Sequence, residues 1–401
     1  MALAKPDRGE PTGLMEPLLV SEGSTQRGAL TDLAVELAQR AAGLRRSLPE
    51  GLGTTVADLV RAMNCYYSNL IEGHDTHPVD IERALKNDYS SDLRKRNLQL
   101  EAKAHITVQE WIDAGGLKNR ATTTDGLIEI HRRFCELLPE DLLWINDPKT
   151  GERLDVVPGQ FRERDVIVGD HVPVSPGALP RFLARFENVY AHLGKTDTIL
   201  AAAAAHHRLL WIHPFLDGNG RVARLMSHAM LLETLDTGGV WSIARGLACN
   251  ESAYKVQLQA CDQPRRGDHD GRGTLSEAAL AEFTHFFLTT CIDQVAFMEG
   301  LLQPERLRDR IRIWTEEEIR AGDLPLKAGV VLDAVLYRGA IPRGEVSSLL
   351  GASERQARRV TSALLARGVL VSQSSRAPLR LVLPARLAPR WMPGLFPEPR
   401  D

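Results

Sequence analysis

His213–Arg224 reads HPFLDGNGRVAR, and the rest of the chain is best read outward from it. The run brings together a histidine, an acidic residue, an asparagine between two glycines, and two arginines. It also lies where two helices meet. Upstream, Ala201–His213 (AAAAAHHRLLWIH) is rich in strong helix formers. Pro214 disfavours helical backbone at His213 and places a helix end there. Downstream, Arg221–Leu232 (RVARLMSHAMLL) returns to helical periodicity. Pro214–Gly220 is therefore a short loop that runs into a helix N-terminus.

That arrangement suits a phosphate. The first amides of a helix have no internal acceptor, and the helix dipole is positive at that end. Gly218 and Gly220 lack a Cβ, so the backbone can curl and approach an anion closely. Asn219 carries a side-chain amide donor. Arg221 and Arg224 present planar forks that match phosphate oxygens. Asp217 is a hard oxygen ligand of the kind Mg²⁺ takes alongside substrate phosphates. His213, at the mouth of the loop, titrates near neutrality and can accept a proton from a nucleophile.

The run resembles the HPF-x-[D/E]-GN-G-R-x-x-R signature of Fic-domain (Fic/DOC family) proteins at every defined position. The resemblance implies Mg²⁺-dependent transfer of AMP from ATP to a Ser, Thr or Tyr hydroxyl of a protein, self-modification included. Carried over by position, His213 would be the general base and Asp217 the Mg²⁺ ligand. Gly218, Asn219 and Gly220 would form the anion cradle. Arg221 would hold the leaving pyrophosphate and Arg224 the terminal phosphate, and Phe215 would anchor the loop. Gly218 stands where the Doc branch, which phosphorylates its target, has lysine. The resemblance is thus to the nucleotidyl-transferring branch.

Three other segments bear on this site. In SNLIEG (Ser68–Gly73), Ser68 and Glu72 are four apart and share a helix face, and Gly73 suits a C-cap. The segment resembles the family's inhibitory helix, [S/T]-x-x-x-E-[G/N], whose glutamate pairs with the second motif arginine, here Arg224. Leu154–Gly169 contains two strand candidates, one before Pro158–Gly159 and one at Asp165–Val168. Within it, Pro158–Ile167 (PGQFRERDVI) resembles the flap to which the target peptide adds as a strand. Tyr254 is a candidate for stacking on adenine, and equally for plain core.

Composition frames the remainder. The 401 residues are 43% hydrophobic and 25% charged, with net charge −3, as in ordinary globular chains of two or three domains. The cysteines, Cys65, Cys135, Cys249, Cys261 and Cys291, form no CxxC pair. This argues against a zinc site or disulfide framework and for reduced thiols in a cytoplasm. No apolar run is long enough to span a membrane, and the polar N-terminus lacks a signal-peptide core. Residues 1–30 read as largely irregular. Helical patterns fill Leu30–Leu117, with another helix at Gly126–Leu138 for which Asp125 is the expected N-cap.

Residues 325–401 hold 12 Lys+Arg against 5 Asp+Glu, while the preceding residues hold 37 against 47. The order of patterns in this basic segment, three helices and then two strands about a Ser/Arg-rich turn, resembles a winged helix-turn-helix domain. Ser353 would cap its third helix. Arg355, Arg358 and Arg359 would lie on that helix's exposed face, with Arg376 at the wing tip.

The expected architecture is mainly α. An N-terminal helical region with the inhibitory helix (1–117) precedes a Fic-type core with its β-hairpin flap (118–300). A helix and linker (301–324), a winged helix-turn-helix domain (325–387) and a tail (388–401) follow. Expected partners are ATP and a hydroxyl-bearing protein substrate; residues 325–387 fit either DNA or, as readily, dimerisation or docking of a protein target, and the resemblance admits a homodimer. Two other functions use the same residues. One is an AMP-removing hydrolase in which Glu72 orients water. The other is a DNA-binding regulator whose core senses nucleotide.

Overall fold

The structure is a computed structural model that describes residues 6–49, 51–147 and 150–397. It is mainly helical. The N-terminal part comprises α1 (Arg27–Ser47), α2 (Leu52–Ile71), α3 (Pro78–Leu85), α4 (Leu93–Asp113) and α5 (Thr124–Glu136). A hairpin, β1 (Trp144–Asn146) and β2 (Arg153–Asp155), follows. The central part comprises α6 (Leu179–Tyr190), α7 (Lys195–Ile212), α8 (Asn219–Leu235), α9 (Ala244–Cys249), α10 (Glu251–Cys261), α11 (Glu277–Leu302) and α12 (Pro304–Arg320). The C-terminal part runs α13 (Ala328–Arg338), β3 (Ala340–Ile341), α14 (Val346–Leu350), α15 (Glu354–Ala366), β4 (Leu370–Val371), β5 (Leu379–Leu381) and α16 (Ala388–Trp391).

Helix α7 is the hub. Its Ala201–Ala205 run is buried on every side, and small side chains let neighbouring helices approach on all faces. Helices α8, α6, α11 and α1 pack around it. Helix α5 is strongly one-sided, burying Leu127, Ile130, His131, Phe134 and Cys135 at helical spacing against α4 and α8. Its N-cap is Thr123, whose Oγ1 accepts from the Gly126 amide at 3.0 Å. This corrects the expected cap at Asp125, which sits in the first turn instead.

The β patch also differs from expectation. The first strand candidate exists as β2, paired antiparallel with β1 in the register Ile145↔Leu154. The second does not form a strand: the flap candidate Pro158–Ile167 is irregular and is followed by one antiparallel bridge, Val168↔His171. Asp165–Val168 is a four-residue run that finds no neighbouring strand edge among the described residues beyond the single Val168–His171 bridge.

In the C-terminal part a three-stranded antiparallel sheet is ordered β3-β5-β4, and its first strand, β3, lies between α13 and α14, where the sequence pattern predicts no strand. Ser353 caps α15, its hydroxyl accepting from the Gln356 amide. The segment expected as a tail is not free over its described residues. Trp391, Met392 and Leu395 are buried, the Leu395 carbonyl accepts from Tyr67 Oη at 3.0 Å, and the Gly394 carbonyl accepts from Arg245 at 2.9 Å. The apolar residues of WMPGLF secure it. No described helix is long and apolar enough to cross a membrane.

Candidate functional site

Helix α7 ends at His213, whose backbone lies in the left-handed region at φ +50°. A histidine there is strained, and the structure shows what holds it. Arg162, from the irregular flap segment, is 2% exposed, and its guanidinium donates only to backbone carbonyls. Arg162 Nε bonds the His213 carbonyl at 2.7 Å, and Nη2 bonds those of Val174 and Ile212. The Arg162 amide also bonds the Pro214 carbonyl at 2.9 Å. Burial lowers its pKa to about 10, so it remains a cation. Sequence reasoning did not single out this residue, because a lone arginine in a polar loop gives no signal of burial.

The loop is closed internally by Asn219. Its Oδ1 accepts from the Phe215 amide at 3.0 Å and its Nδ2 donates to the Phe215 carbonyl at 2.9 Å. The side-chain amide expected to meet an anion thus also braces the loop, through its Oδ1 and one of its two Nδ2 hydrogens. Phe215 is fully buried and stacks on His131 with ring centroids 4.0 Å apart. His131 Nδ1 accepts from the Gly159 amide at 2.9 Å, and burial pushes its pKa down to about 4. Gly218 has φ +80°, and its α-carbon faces the His131 ring. Backbone of this shape, feeding the N-terminus of α8, is what an anion cradle requires.

Burial, with the Arg162 guanidinium adding to it, pushes the His213 imidazole down to about 4. It is neutral at physiological pH. Its Nδ1 is buried with no hydrogen-bond partner among the described residues. Asp217 has a half-exposed carboxylate 3.1 Å from Arg221 Nη2. Arg221 is buried and is also paired with Glu101 of α4.

Arg224 is 3% exposed and fully engaged at the end of α2. Its Nε donates to Ser68 Oγ at 2.8 Å, and its Nη2 donates to the Ser68 carbonyl at 3.2 Å and to Glu72 Oε1. Burial acts to raise the Glu72 carboxyl, but Arg224 and Arg221 outweigh it and leave it below the usual range. The same carboxylate lies against Gly220, where a Cβ would collide with Oε1. Gly73, at φ +82°, terminates the α2 turn.

His213, Gly220, Glu72, Arg224 and Tyr254 line one cleft of about 890 Å³, with the Val168–Val172 turn on its rim. That volume lies in the range of small-molecule sites. Tyr254 is 3% exposed and its hydroxyl sits 2.6 Å from His206 Nε2, so only part of its ring reaches the cleft. Asp217 and Arg221 are not among the residues lining this cleft; Arg221 faces Glu101 of α4 and Phe134 of α5. Such a cleft joins a neutral imidazole, an anion-favouring helix end and an arginine held off by a carboxylate.

Comparisons with known proteins agree with this geometry. Residues 121–231 match the Fic/DOC family. A protein adenylyltransferase Fic of Drosophila virilis is 31% identical over 169 residues, covering 42% of this chain and 32% of that protein. Its Drosophila erecta counterpart is 30% identical over the same length, covering 31% of that protein. The matched stretch thus spans about a third of these curated relatives. A crystal structure of a Fic family protein from Desulfovibrio desulfuricans G20 superposes with a TM-score of 0.53 at 15% identity, covering 91% of this chain and 98% of that one. At that identity the likeness is one of fold.

Proposed function

Starting from a Fic/DOC domain at residues 121–231, we propose that the chain transfers AMP from ATP to a hydroxyl of a protein substrate and that Glu72 restrains the reaction. One observation carries the reading: His213 and the N-terminus of α8 share a cleft with Arg224, and Glu72 occupies Arg224. In the reaction, the target hydroxyl oxygen bonds to the α-phosphorus as the bond to pyrophosphate breaks. The hydroxyl proton passes to the imidazole of His213, which is neutral and ready to take it. The amides of Gly218–Gly220 stabilise the phosphoryl oxygens as charge develops on them. Arg221 holds the leaving pyrophosphate, and Arg224, once released, holds the terminal phosphate.

Mg²⁺ fits this site as a shared ligand. Asp217 offers one half-exposed carboxylate beside the loop, and Mg²⁺ is commonly held by one or two carboxylates plus phosphates. When bound it would neutralise phosphate charge. Arg162 clamps the backbone at His213 so that the imidazole stays at the cleft. Removal of AMP would use the same cleft, with water in place of the hydroxyl and Glu72 orienting it.

The test is label transfer from α-³²P-ATP with Mg²⁺ by wild type, Glu72→Gly and His213→Ala. Protein-bound label that rises in Glu72→Gly and is lost in His213→Ala supports transfer. No label in any variant, with release of AMP from a pre-labelled protein, favours removal.

For residues 325–387 we read a winged helix-turn-helix unit that contacts duplex DNA. Arg355, Arg359 and Arg376 are exposed, and their side chains have no carboxylate partner among the described residues. Arg358 is exposed too but pairs with Glu354. Phosphate contacts of this kind dominate salt-dependent affinity.

A further inference from the structure

The turn that carries Glu72 reaches the first motif arginine as well as the second. After Gly73, the His74 amide donates back to the Asn69 carbonyl at 2.9 Å, which directs the His74 ring toward α4. There His74 Nδ1 lies 2.7 Å from Glu101 Oε2. Glu101 is 1% exposed, and its other oxygen accepts from Arg221 Nη1. Arg221 Nη2 donates to Asp217 Oδ2 at 3.1 Å, and the guanidinium lies 4.9 Å from the Phe134 ring centroid. Charge alternates along this chain of side chains, from imidazole to carboxylate to guanidinium to carboxylate.

A guanidinium is a rigid planar fork, so fixing one nitrogen sets the direction of the others. Glu101 holds the buried edge, Phe134 supports the ring face, and Nη2 is left pointing at the loop beside Asp217. Without Glu101 the buried guanidinium would keep only its contact with Asp217, the proposed Mg²⁺ ligand, and would be drawn further onto it.

We propose that Glu101 is the positioning residue for Arg221. It aims the guanidinium at the β-phosphate position beside Asp217, and His74 locks Glu101 in turn. The proposal rests on reading the cleft as an ATP site. It assigns segment 72–74 a grip on both motif arginines, directly on Arg224 and through Glu101 on Arg221.

The test is calorimetric binding of ATP and of AMP, each with Mg²⁺, to the full chain carrying Glu72→Gly. AMP lacks both the β- and γ-phosphates, so the affinity ratio of ATP to AMP reports the Arg221 and Arg224 contacts together, and its change on altering Glu101 or His74, with Arg224 untouched, reports the Arg221 contact. Adding Glu101→Gln lowers that ratio by about tenfold or more, the size of one charge-assisted contact, with AMP affinity unchanged. Adding His74→Ala, at a position 40% exposed, lowers it in the same direction by a smaller factor. Should Glu101→Gln lose its cooperative thermal transition, His74→Ala decides alone. An unchanged ratio with both nucleotides bound overturns the proposal. Failure of either nucleotide to bind overturns the ATP reading and this proposal with it.

Discussion

Replacing Glu72 by glycine should accelerate label transfer by about 10- to 30-fold. The estimate follows from the contacts on Arg224. Glu72 supplies a charge-assisted bond to a guanidinium that is nearly inaccessible, while Glu72 itself is 30% exposed. Such a bond is worth about 2 kcal/mol, or about 30-fold in the balance between parked and released arginine. Ser68 keeps two contacts on the same guanidinium, so release in Glu72→Gly is incomplete and the gain stays toward the lower end. Adding Ser68→Ala removes the hydroxyl bond, about 1 kcal/mol, and should give about a further fivefold. Initial rates of incorporation from α-³²P-ATP measure both steps. Unchanged rates in both variants, with ATP still bound, would refute the reasoning. The sign of the pH effect gives an independent check. The Glu72 pKa lies below its ordinary value, so the ion pair is intact above the carboxylate range and weakens only as pH falls through the lowered value. The restraint therefore persists from pH 8 to 5, and mild acid does not activate the wild type.

Other outcomes follow from the same geometry. His213→Ala should abolish labelling even with Glu72→Gly, since His171 and His207, the other imidazoles lining the cleft among the described residues, are engaged with the Trp211 carbonyl and with Asp262, and labelling that survives at more than a hundredth of the parent rate would remove His213 from the base role. Arg162→Met should cost about 3 kcal/mol of stability by urea unfolding and slow transfer by about tenfold or more, because the carbonyls at Ile212, His213 and Val174 lose their donor. Burial pushes His105 and His206 to about 3 and His131, His207 and His213 to about 4, so the unfolded chain binds more protons between pH 6.5 and 4. Stability should then fall on acidification, by a few kcal/mol between pH 6.5 and 5, and a flat urea midpoint over that range would contradict the burial of these rings. Arg355→Ala with Arg359→Ala should weaken duplex DNA binding and reduce the steepness of its salt dependence, read by fluorescence anisotropy across a salt series.

The features legible in the sequence are those whose cause is local. Pro214 ends α7, glycines at 218 and 220 leave room at the start of α8, and Ser353 caps α15, each through neighbours within four residues. The Asp125 cap failed for a local reason as well. Thr123 precedes Thr124 and Asp125, and its hydroxyl lies one turn from the Gly126 amide, so it takes the cap and leaves Asp125 to favour the helix dipole from the first turn. The strand at Asp165–Val168 failed because β-branched residues favour a strand only where an edge is offered to them. The apolar residues of the last segment gave the opposite warning: Trp391, Met392 and Leu395 mark a segment that must find a core.

What could not be read was partnership across the chain. Arg162 and His213 are 51 positions apart, Glu101 and Arg221 are 120, and Glu72 and Arg224 are 152. Only the last was anticipated, and by resemblance to a known motif. Asn219 shows why residue type alone misleads here. Its amide can donate to a phosphate or close a turn, and both uses fit the spacing. In the structure its Oδ1 and one Nδ2 hydrogen bond Phe215, four residues back, so the side chain closes the loop whether or not its second hydrogen meets an anion. That closure has a physical logic: a side chain that holds the loop keeps the amides at the start of α8 aimed before any anion arrives.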